Sequence, residues 1–193
     1  LKLDANIKSA QSAGKLDVQP SNDVLRAAIV IAVAAFDAYA TDCFAEKFVV
    51  YIKHNSVDGS LEKLLLDSGF TIKFALSLLD SDRPYRKIRT LINRYYAKYT
   101  TQKLGVIDEL FLQYHIKDIT KNAAKRSGKN VDRLLGSVNK IIERRHNIVH
   151  DGDYNIHGKI KPVRETDISR ISDLKILVDN MDYIIENRCE RRS

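Results

Sequence analysis

The spacing of apolar residues along the chain predicts a succession of helices. The clearest pattern extends from Val24 to about Lys53, where apolar side chains recur at steps of three and four residues. The polar segment Pro20-Ser21-Asn22-Asp23 precedes it and offers the cap residues with which helices begin. The apolar stripe of this helix is expected to form core, and it comprises Ile29, Val33, Phe36, Ala40, Phe44, Phe48 and Tyr51.

Several shorter helices are predicted after this one. Residues 61–66 and 72–79 have helical patterns separated by Ser68 and Gly69, and Pro84 begins another helix that ends near Lys98. Residues 104–115 predict a further helix. The polar, lysine-rich stretch that follows, up to residues 127–129, is expected to be an irregular connection.

Two more helices are predicted to complete an all-α fold, a helical bundle with long antiparallel helices. The first begins near Asn130 and stops at Asp151-Gly152-Asp153, where Gly152 supplies the left-handed conformation that ends helices. The second extends from Thr166 to about Arg188, and residues 155–163 can hold a short extended piece at most. We expect a single domain over residues 1–193, with a loose segment at 1–19 and a basic tail at 189–193.

Composition and charge narrow the class of protein. The chain has 32 Lys and Arg against 25 Asp and Glu, a formal net charge of +7. This excess favours an anionic partner such as RNA, although many soluble surfaces have a similar charge. Cys43 and Cys189 show no metal-type spacing, and we expect no disulfide. The longest apolar run, Ala27 to Phe36, has ten residues, about half of a membrane span, so we expect a cytoplasmic protein without a membrane segment.

Candidate chemistry is concentrated at the end of the helix that begins near Asn130. Arg145 lies four residues after Ile141, so the periodicity puts a guanidinium on the apolar stripe, where it needs an anionic partner or a subunit boundary. His146 and His150 are four residues apart and share one face. The helix dipole also favours cations in a last turn, which is a simpler interpretation of Arg144, Arg145 and His150.

The segment Arg145-His146-Asn147-Ile148-Val149-His150 resembles the R-x4-6-H signature of the HEPN superfamily, in which a polar residue follows the arginine. The first helix, with Arg26-Ala27-Ala28-Ile29-Val30 and Ala35-Phe36-Asp37-Ala38-Tyr39, resembles the long first helix of HEPN proteins, particularly those of the RiboL-PSP-HEPN branch. This resemblance spans about residues 22–188. It implies an α-helical domain that dimerises and, in many members, a metal-independent endoribonuclease that uses no cofactor and leaves a 2',3'-cyclic phosphate.

Carried over residue by residue, the resemblance makes His150 the general acid or base, Arg145 the ligand of the scissile phosphate and His146 the polar helper, with Asn147 and Arg144 in support. Imidazole exchanges protons near neutral pH, and guanidinium pairs with phosphate oxygens through two hydrogen bonds, so the chemistry suits these roles. Five residues of unbroken helix turn about 500°, which leaves Arg145 and His150 about 140° apart. Two copies facing each other across a twofold axis could combine both pairs in one cleft, so we expect a homodimer.

Asp37 is a candidate partner of Arg145. It follows Val30 and Ala34 on a narrow stripe of the first helix and matches the acidic residue that HEPN proteins often carry there. The simpler interpretation is a carboxylate at the edge of a solvated face, beside Asp42.

A second candidate surface is the helix that begins at Pro84. Seven basic residues and no acidic one lie between Arg83 and Ile107, interleaved with tyrosines at 85, 95, 96 and 99. Phosphates favour such cations and unstacked bases favour such rings, so RNA contacts are expected here. Five of the seven are the predicted RNA contacts, namely Arg86, Lys87, Arg89, Arg94 and Lys98. A solvated basic face with tyrosines in the core is the plainer interpretation.

Other chemistries are less well supported. His146 and His150 have the spacing of a zinc pair, but no glutamate stands between them as in H-E-x-x-H, so no metal site is expected. Cys43 is expected on a buried face and Cys189 in the charged tail, so a cysteine nucleophile has little support, and no glycine-rich phosphate-binding loop is present. The resemblance also suggests that such an RNase acts as a toxin or in defence, with an antitoxin as partner. The alternative to an RNase is a non-catalytic module that binds nucleic acid or protein.

Overall fold

The computed structural model describes residues 18–98 and 103–190, with five isolated positions before residue 14. This described part contains eight α-helices, which are α1 (Val18–His54), α2 (Gly59–Asp67), α3 (Ile72–Leu79), α4 (Pro84–Tyr96), α5 (Leu104–Leu112), α6 (Ile119–Arg126), α7 (Val131–His150) and α8 (Glu165–Glu190). The same residues contain no strand, and one isolated antiparallel bridge joins Tyr154 to Ile160. The all-α prediction is therefore confirmed.

The first helix begins earlier than the sequence predicts. Residues 20–23 are not caps ahead of α1, because α1 starts at Val18 and includes them. Proline is tolerated in a first turn, where its missing N–H has no intrahelical acceptor to lose. The seven residues of the predicted core stripe are all buried, none being more than 3% exposed. The expected loose segment 1–19 lies largely outside the described residues, and of those that are described, residues 6, 9, 10, 12, 18 and 19 are helical.

The lysine-rich stretch before Ser127 is a helix, α6, and the prediction of an irregular connection is wrong. Ile119 and Ala123 are completely buried along one side of it. The N–H and the hydroxyl of Thr120 each donate to a carboxylate oxygen of Asp108 on α5, both at 2.9 Å. The start of α6 is thus capped by a residue from the preceding helix.

The helix predicted over residues 104–115 ends at Leu112. His115 and Asp118 adopt left-handed backbone conformations, with φ of 57° and 47°. The turn carries Tyr114 into the core, where its ring stacks on those of Phe44 and Tyr51 at 4.6 and 5.0 Å between centroids. Ending the helix at Leu112 allows this aromatic ring to be completely buried.

The chain divides into two compact units, the first formed by residues 1–36 and 124–178. The fully or almost fully buried residues of its described part include Ile29, Val33, Leu134, Val138, Ile141, Leu174 and Leu177. On α8, Asp173 accepts hydrogen bonds from Lys129 at 2.7 Å and Ser137 at 2.6 Å. Burial by itself would raise the pKa of Asp173, but these hydrogen bonds and the lysine charge outweigh it and lower the pKa.

The second unit comprises residues 37–123 and 179–193 and has an aromatic core. Besides the stacked Tyr114, the ring of Phe44 meets Phe111 and Tyr96 edge-on, with centroids 5.9 and 5.0 Å apart. The Tyr114 hydroxyl donates to the Phe44 carbonyl, and burial raises the pKa of Tyr114. Cys189, which is predicted to lie in a basic tail, is instead completely buried near the end of α8.

Of the described helices, α1 contains one stretch, Asn22–His54, that is long and apolar enough to cross a membrane. A core helix meets the same criterion of length and composition. The buried stripe accounts for part of the apolar character of α1, and 33% of the window that meets the criterion is buried inside the protein.

Candidate functional site

The R-x4-H segment occupies the last two turns of α7. The side chain of Asn130 caps the start of this helix by accepting from the Arg133 N–H at 2.9 Å. At its end, Gly152 takes the predicted left-handed conformation, with φ of 64°. The N–H of Asp153 then donates to the Asn147 carbonyl at 3.0 Å. The helix continues unbroken through His150, so the motif residues keep helical spacing.

Arg145 lies on the apolar side of α7, as its spacing predicts. Val138 and Ile141 are completely buried on that side, and Arg145 is half-buried in line with them. Because α7 is unbroken and His150 is five residues after Arg145, the two side chains point about 140° apart. One copy of α7 does not direct both groups at the same phosphate.

His146 and His150 form a pair of exposed imidazoles. Their ring centroids are 4.7 Å apart and the rings are tilted by 41°. Both side chains can reach solvent, a requirement for exchanging protons with a bound substrate. The structure thus brings together two of the three predicted catalytic residues.

Arg144 is held by a buried carboxylate, that of Asp153, which its position in the sequence does not predict. Its Nη2 lies 2.8 Å from Asp153 Oδ2 and donates to the Lys161 carbonyl at 3.1 Å. Arg26 on α1 approaches the same Asp153 oxygen at 3.3 Å and also donates to the Lys161 carbonyl. Asp153 is 1% exposed, so this cluster fastens the 153–161 segment to α1 and α7.

One signal for this cluster was present in the sequence. Arg26 stands at the start of a long apolar stretch, and an arginine there requires an acceptor. The partner could not be found from spacing, because Asp153 is 127 residues away in the chain.

A polar groove of about 480 Å³ adjoins the motif within the first unit. It is lined by residues of α7, the 155–164 segment and the start of α8, including Lys140, Glu143, Arg144, Asn147, Lys161 and Arg164. Both predicted supporting residues of α7, Arg144 and Asn147, lie in this groove. None of the three predicted catalytic residues lines it.

Asp37 is half-buried on α1. The backbone carbonyl of Asp37 accepts a hydrogen bond from the Thr41 hydroxyl at 3.3 Å, a local contact within the helix. Its pairing with Arg145 stays a prediction.

The basic residues of α4, and Lys98 in the turn that follows it, are exposed in the second unit. All five predicted RNA contacts, Arg86, Lys87, Arg89, Arg94 and Lys98, are exposed. Within the described residues, no ion pair joins any of them to a carboxylate. A groove of about 450 Å³, lined partly by Arg83, Arg86, Lys87 and Arg94, runs beside them.

The tyrosines near α4 differ in their availability to bases. Tyr96 contacts Phe44 and Tyr95, which makes it part of the aromatic core. Tyr85 is 46% exposed, but the Lys53 ammonium lies 3.9 Å from its ring centroid. Tyr99 lies outside the described residues. The cations are therefore a better supported contact surface than the rings.

Cysteine and metal chemistry find little basis in the described residues. Burial raises the pKa of Cys43 to about 11, against a hydrogen bond from Tyr39 that lowers it, so this thiol is protonated at neutral pH. No group of three His, Cys, Asp or Glu side chains in the described part could hold a metal ion. Metal independence stays a prediction.

The fold and the α7 motif define an α-helical protein with an arginine and a histidine five residues apart at a helix end, the pattern of HEPN domains. The family model of RiboL-PSP-HEPN matches residues 2–187, and the chain belongs to this family. Neither a curated protein nor a solved structure matches the chain. Membership of this family indicates a nucleic-acid-related function, since HEPN domains in general bind RNA or dimerise and are often RNases.

Proposed function

We infer that this protein is a metal-independent endoribonuclease of the HEPN type. In the proposed reaction, the 2'-oxygen of one nucleotide attacks the adjacent phosphorus. The bond from phosphorus to the 5'-oxygen breaks, giving a 2',3'-cyclic phosphate and a free 5'-hydroxyl. His150 takes the 2'-hydroxyl proton or supplies one to the leaving oxygen, and Arg145 neutralises charge on the non-bridging oxygens.

The proposal depends chiefly on the complete Arg145 and His150 pair in the last two turns of α7. His150 is exposed, and its ring lies next to that of His146 at 4.7 Å. A neighbouring imidazole can accept or donate a hydrogen bond and so orient the reacting one. Arg145 is half-buried, where a guanidinium is more strongly attracted to an anion than it is in open water.

The 140° separation of the two groups supports a site shared between two copies. A twofold axis near the end of α7 would bring Arg145 of one copy and His150 of the other towards a common phosphate. We therefore propose a homodimer as the active form. An antitoxin partner, a role as a toxin or in defence, and a cytoplasmic location belong to the same proposal.

The proposal is tested by incubating the purified protein with total RNA in EDTA, beside His150→Ala and Arg145→Lys. His150→Ala should slow cleavage by about 10²- to 10⁴-fold, the usual contribution of general acid–base catalysis, and leave RNA binding largely intact. Arg145→Lys should slow cleavage nearly as much, since a point charge does not reproduce the planar pair of donors. The products should carry cyclic phosphates.

His157→Ala is the matched control, because His157 is another exposed histidine of the same unit and does not belong to the motif. It should cleave at the wild-type rate. Full activity in His150→Ala, or equal cleavage of a 2'-deoxy substrate, would contradict the ribonuclease proposal.

A non-catalytic module is the second candidate. The unbroken α7 favours it, because a single copy does not converge Arg145 and His150 on one phosphate. The exposed α4 cations suit RNA binding with or without cleavage. RNA binding by a protein that leaves RNA intact under all the conditions above would establish this alternative.

A further inference from the structure

The groove between α7, the 155–164 segment and the start of α8 carries an excess of positive charge. Its charged lining residues are Lys140, Arg144, Lys161, Arg164 and Arg170, with two carboxylates, Glu143 and Asp167. Such a set, gathered from three parts of the chain, suits a ligand with several negative charges.

The carboxylate of Asp167 is already occupied. One oxygen accepts from Arg170 at 2.6 Å, and the other accepts from the backbone N–H of Arg164 at 3.0 Å, which caps the start of α8. Asp167 is 5% exposed and therefore neutralises Arg170 rather than the open groove.

The other cations of the groove are less compensated. Within the described residues, no ion pair joins Lys140, Lys161 or Arg164 to a carboxylate. Arg144 is already paired with Asp153 at 2.8 Å. An anionic ligand would supply partners for the three cations that have none in the described structure.

The groove leads towards the motif. Lys140, Arg144 and Asn147 follow one another along α7 at helical spacing. Asn147 is three residues before His150, which corresponds to about 4.5 Å along the axis and about 60° around it. A strand lying on these side chains would therefore end beside the exposed His150 imidazole.

We propose that this groove binds the phosphodiester backbone of single-stranded RNA next to the cleavage site. The proposal rests on the proposed function for its substrate, RNA. Lys140, Lys161 and Arg164 contact phosphates, and Asn147 donates to the strand where it approaches His150. Arg145 lies about 160° around α7 from Asn147, so it takes no part in the groove.

The test uses the full chain with His150→Ala as background, so that binding is measured without cleavage. Lys140→Ala with Arg164→Ala removes two exposed cations of the groove. Binding of a labelled oligouridylate should weaken by about tenfold, and the slope of log affinity against log salt should fall by about 1.4 for two lost phosphate contacts. The control, Lys125→Ala with Arg133→Ala, removes two exposed cations of the same unit outside the groove and should bind as the background does.

The same two pairs of substitutions are then compared with the wild-type His150 present. The groove pair should raise KM and leave kcat nearly unchanged, since it removes binding and not proton transfer. Circular dichroism should show equal helix content for all variants. Equal binding by the groove pair and the background, or equal weakening by the control pair, would overturn the groove proposal.

The outcomes separate this proposal from the one it rests on. If the wild-type protein binds RNA through the groove but never cleaves it, the ribonuclease proposal is contradicted and the groove proposal is kept. If cleavage requires His150 but its KM is unchanged by the two groove substitutions, only the groove proposal is contradicted. Weakened binding of a mononucleotide with unchanged RNA binding would show a small-ligand pocket and reject the RNA path.

Discussion

At the scale of single residues, the buried carboxylate of Asp153 joins Arg26 and Arg144. It has a left-handed backbone, with φ of 59°, a conformation that asparagine also tolerates. Asp153→Asn therefore keeps the shape and removes only the charge between two guanidinium groups. Unfolding free energy should fall by about 3 kcal/mol, because removing one partner strands buried charges. Urea unfolding, followed by circular dichroism, measures the change.

Asp151→Asn is the control for this prediction, because Asp151 is exposed two residues away. It should change the unfolding free energy by less than about 0.5 kcal/mol. If the two variants were equally stable, the Asp153 cluster would contribute nothing to the fold.

The lowered pKa of Asp173 predicts that the free energy of unfolding depends on pH in the acid range. Its folded-state pKa lies below the ordinary value of 3.8, so its contribution is fully present above that value and is lost as the pH falls through the folded-state pKa. Ser137→Ala removes one of the hydrogen bonds responsible, at a cost of about 1 kcal/mol near neutral pH. The difference between Ser137→Ala and the wild type should shrink below about pH 4.

Urea titrations at several pH values between neutral and acid test the Asp173 prediction. Ser169→Ala provides the comparison, because Ser169 is an exposed serine on α8, the helix that carries Asp173. Its unfolding free energy should vary with pH as that of the wild type does. A constant difference between Ser137→Ala and wild type at every pH would mean that the hydroxyl acts only through packing.

At the scale of helices, α1 and α6 show which elements can be predicted from sequence. The α1 stripe was predictable because its periodicity is local and continues over many turns. The start of α6 was not predictable from sequence, since Thr120 in its first turn is capped by Asp108, which lies twelve residues earlier on another helix. A lysine-rich segment with few apolar residues is typical of a loop, and it is the Asp108 cap together with the burial of Ile119 and Ala123 that stabilises it as a helix.

The exposed cations of α4 predict salt-sensitive RNA binding. Replacing Arg89, Arg94 and Lys98 with Ala should weaken binding and reduce the salt slope by about 2, because each lost contact with single-stranded RNA accounts for about 0.7. Fluorescence anisotropy at several salt concentrations provides the measurement.

The comparison variant for α4 replaces Lys63, Lys117 and Lys121, three exposed lysines of the same unit, and makes the same change in net charge. It should retain the wild-type slope. If RNA affinity does not depend on salt, or if both triple variants lose the same affinity, the α4 cations are only a solvated face.

At the scale of the whole molecule, the sequence predicted the motif but not its surroundings. The positions of Arg145 and His150 follow from the periodicity of one helix, which needs no knowledge of the rest of the chain. The Asp153 cluster and the polar groove join segments that are distant in sequence. Long-range pairings of this kind leave no local pattern, so only the structure reveals which cations hold the fold and which remain available to RNA.

The shared site makes one prediction that concerns two copies of the chain. Arg145→Ala and His150→Ala should each be inactive alone. If each site takes Arg145 from one copy and His150 from the other, a mixed dimer of the two variants contains one intact site and one site that lacks both groups. Random exchange makes half of the dimers mixed, so unfolding and refolding the two variants together should restore about a quarter of wild-type activity.

A site built within one copy would remain inactive in every mixture. Light scattering measures the dimer in the same samples, and a monomer at tens of micromolar, or a mixture without recovered cleavage, would contradict the shared site.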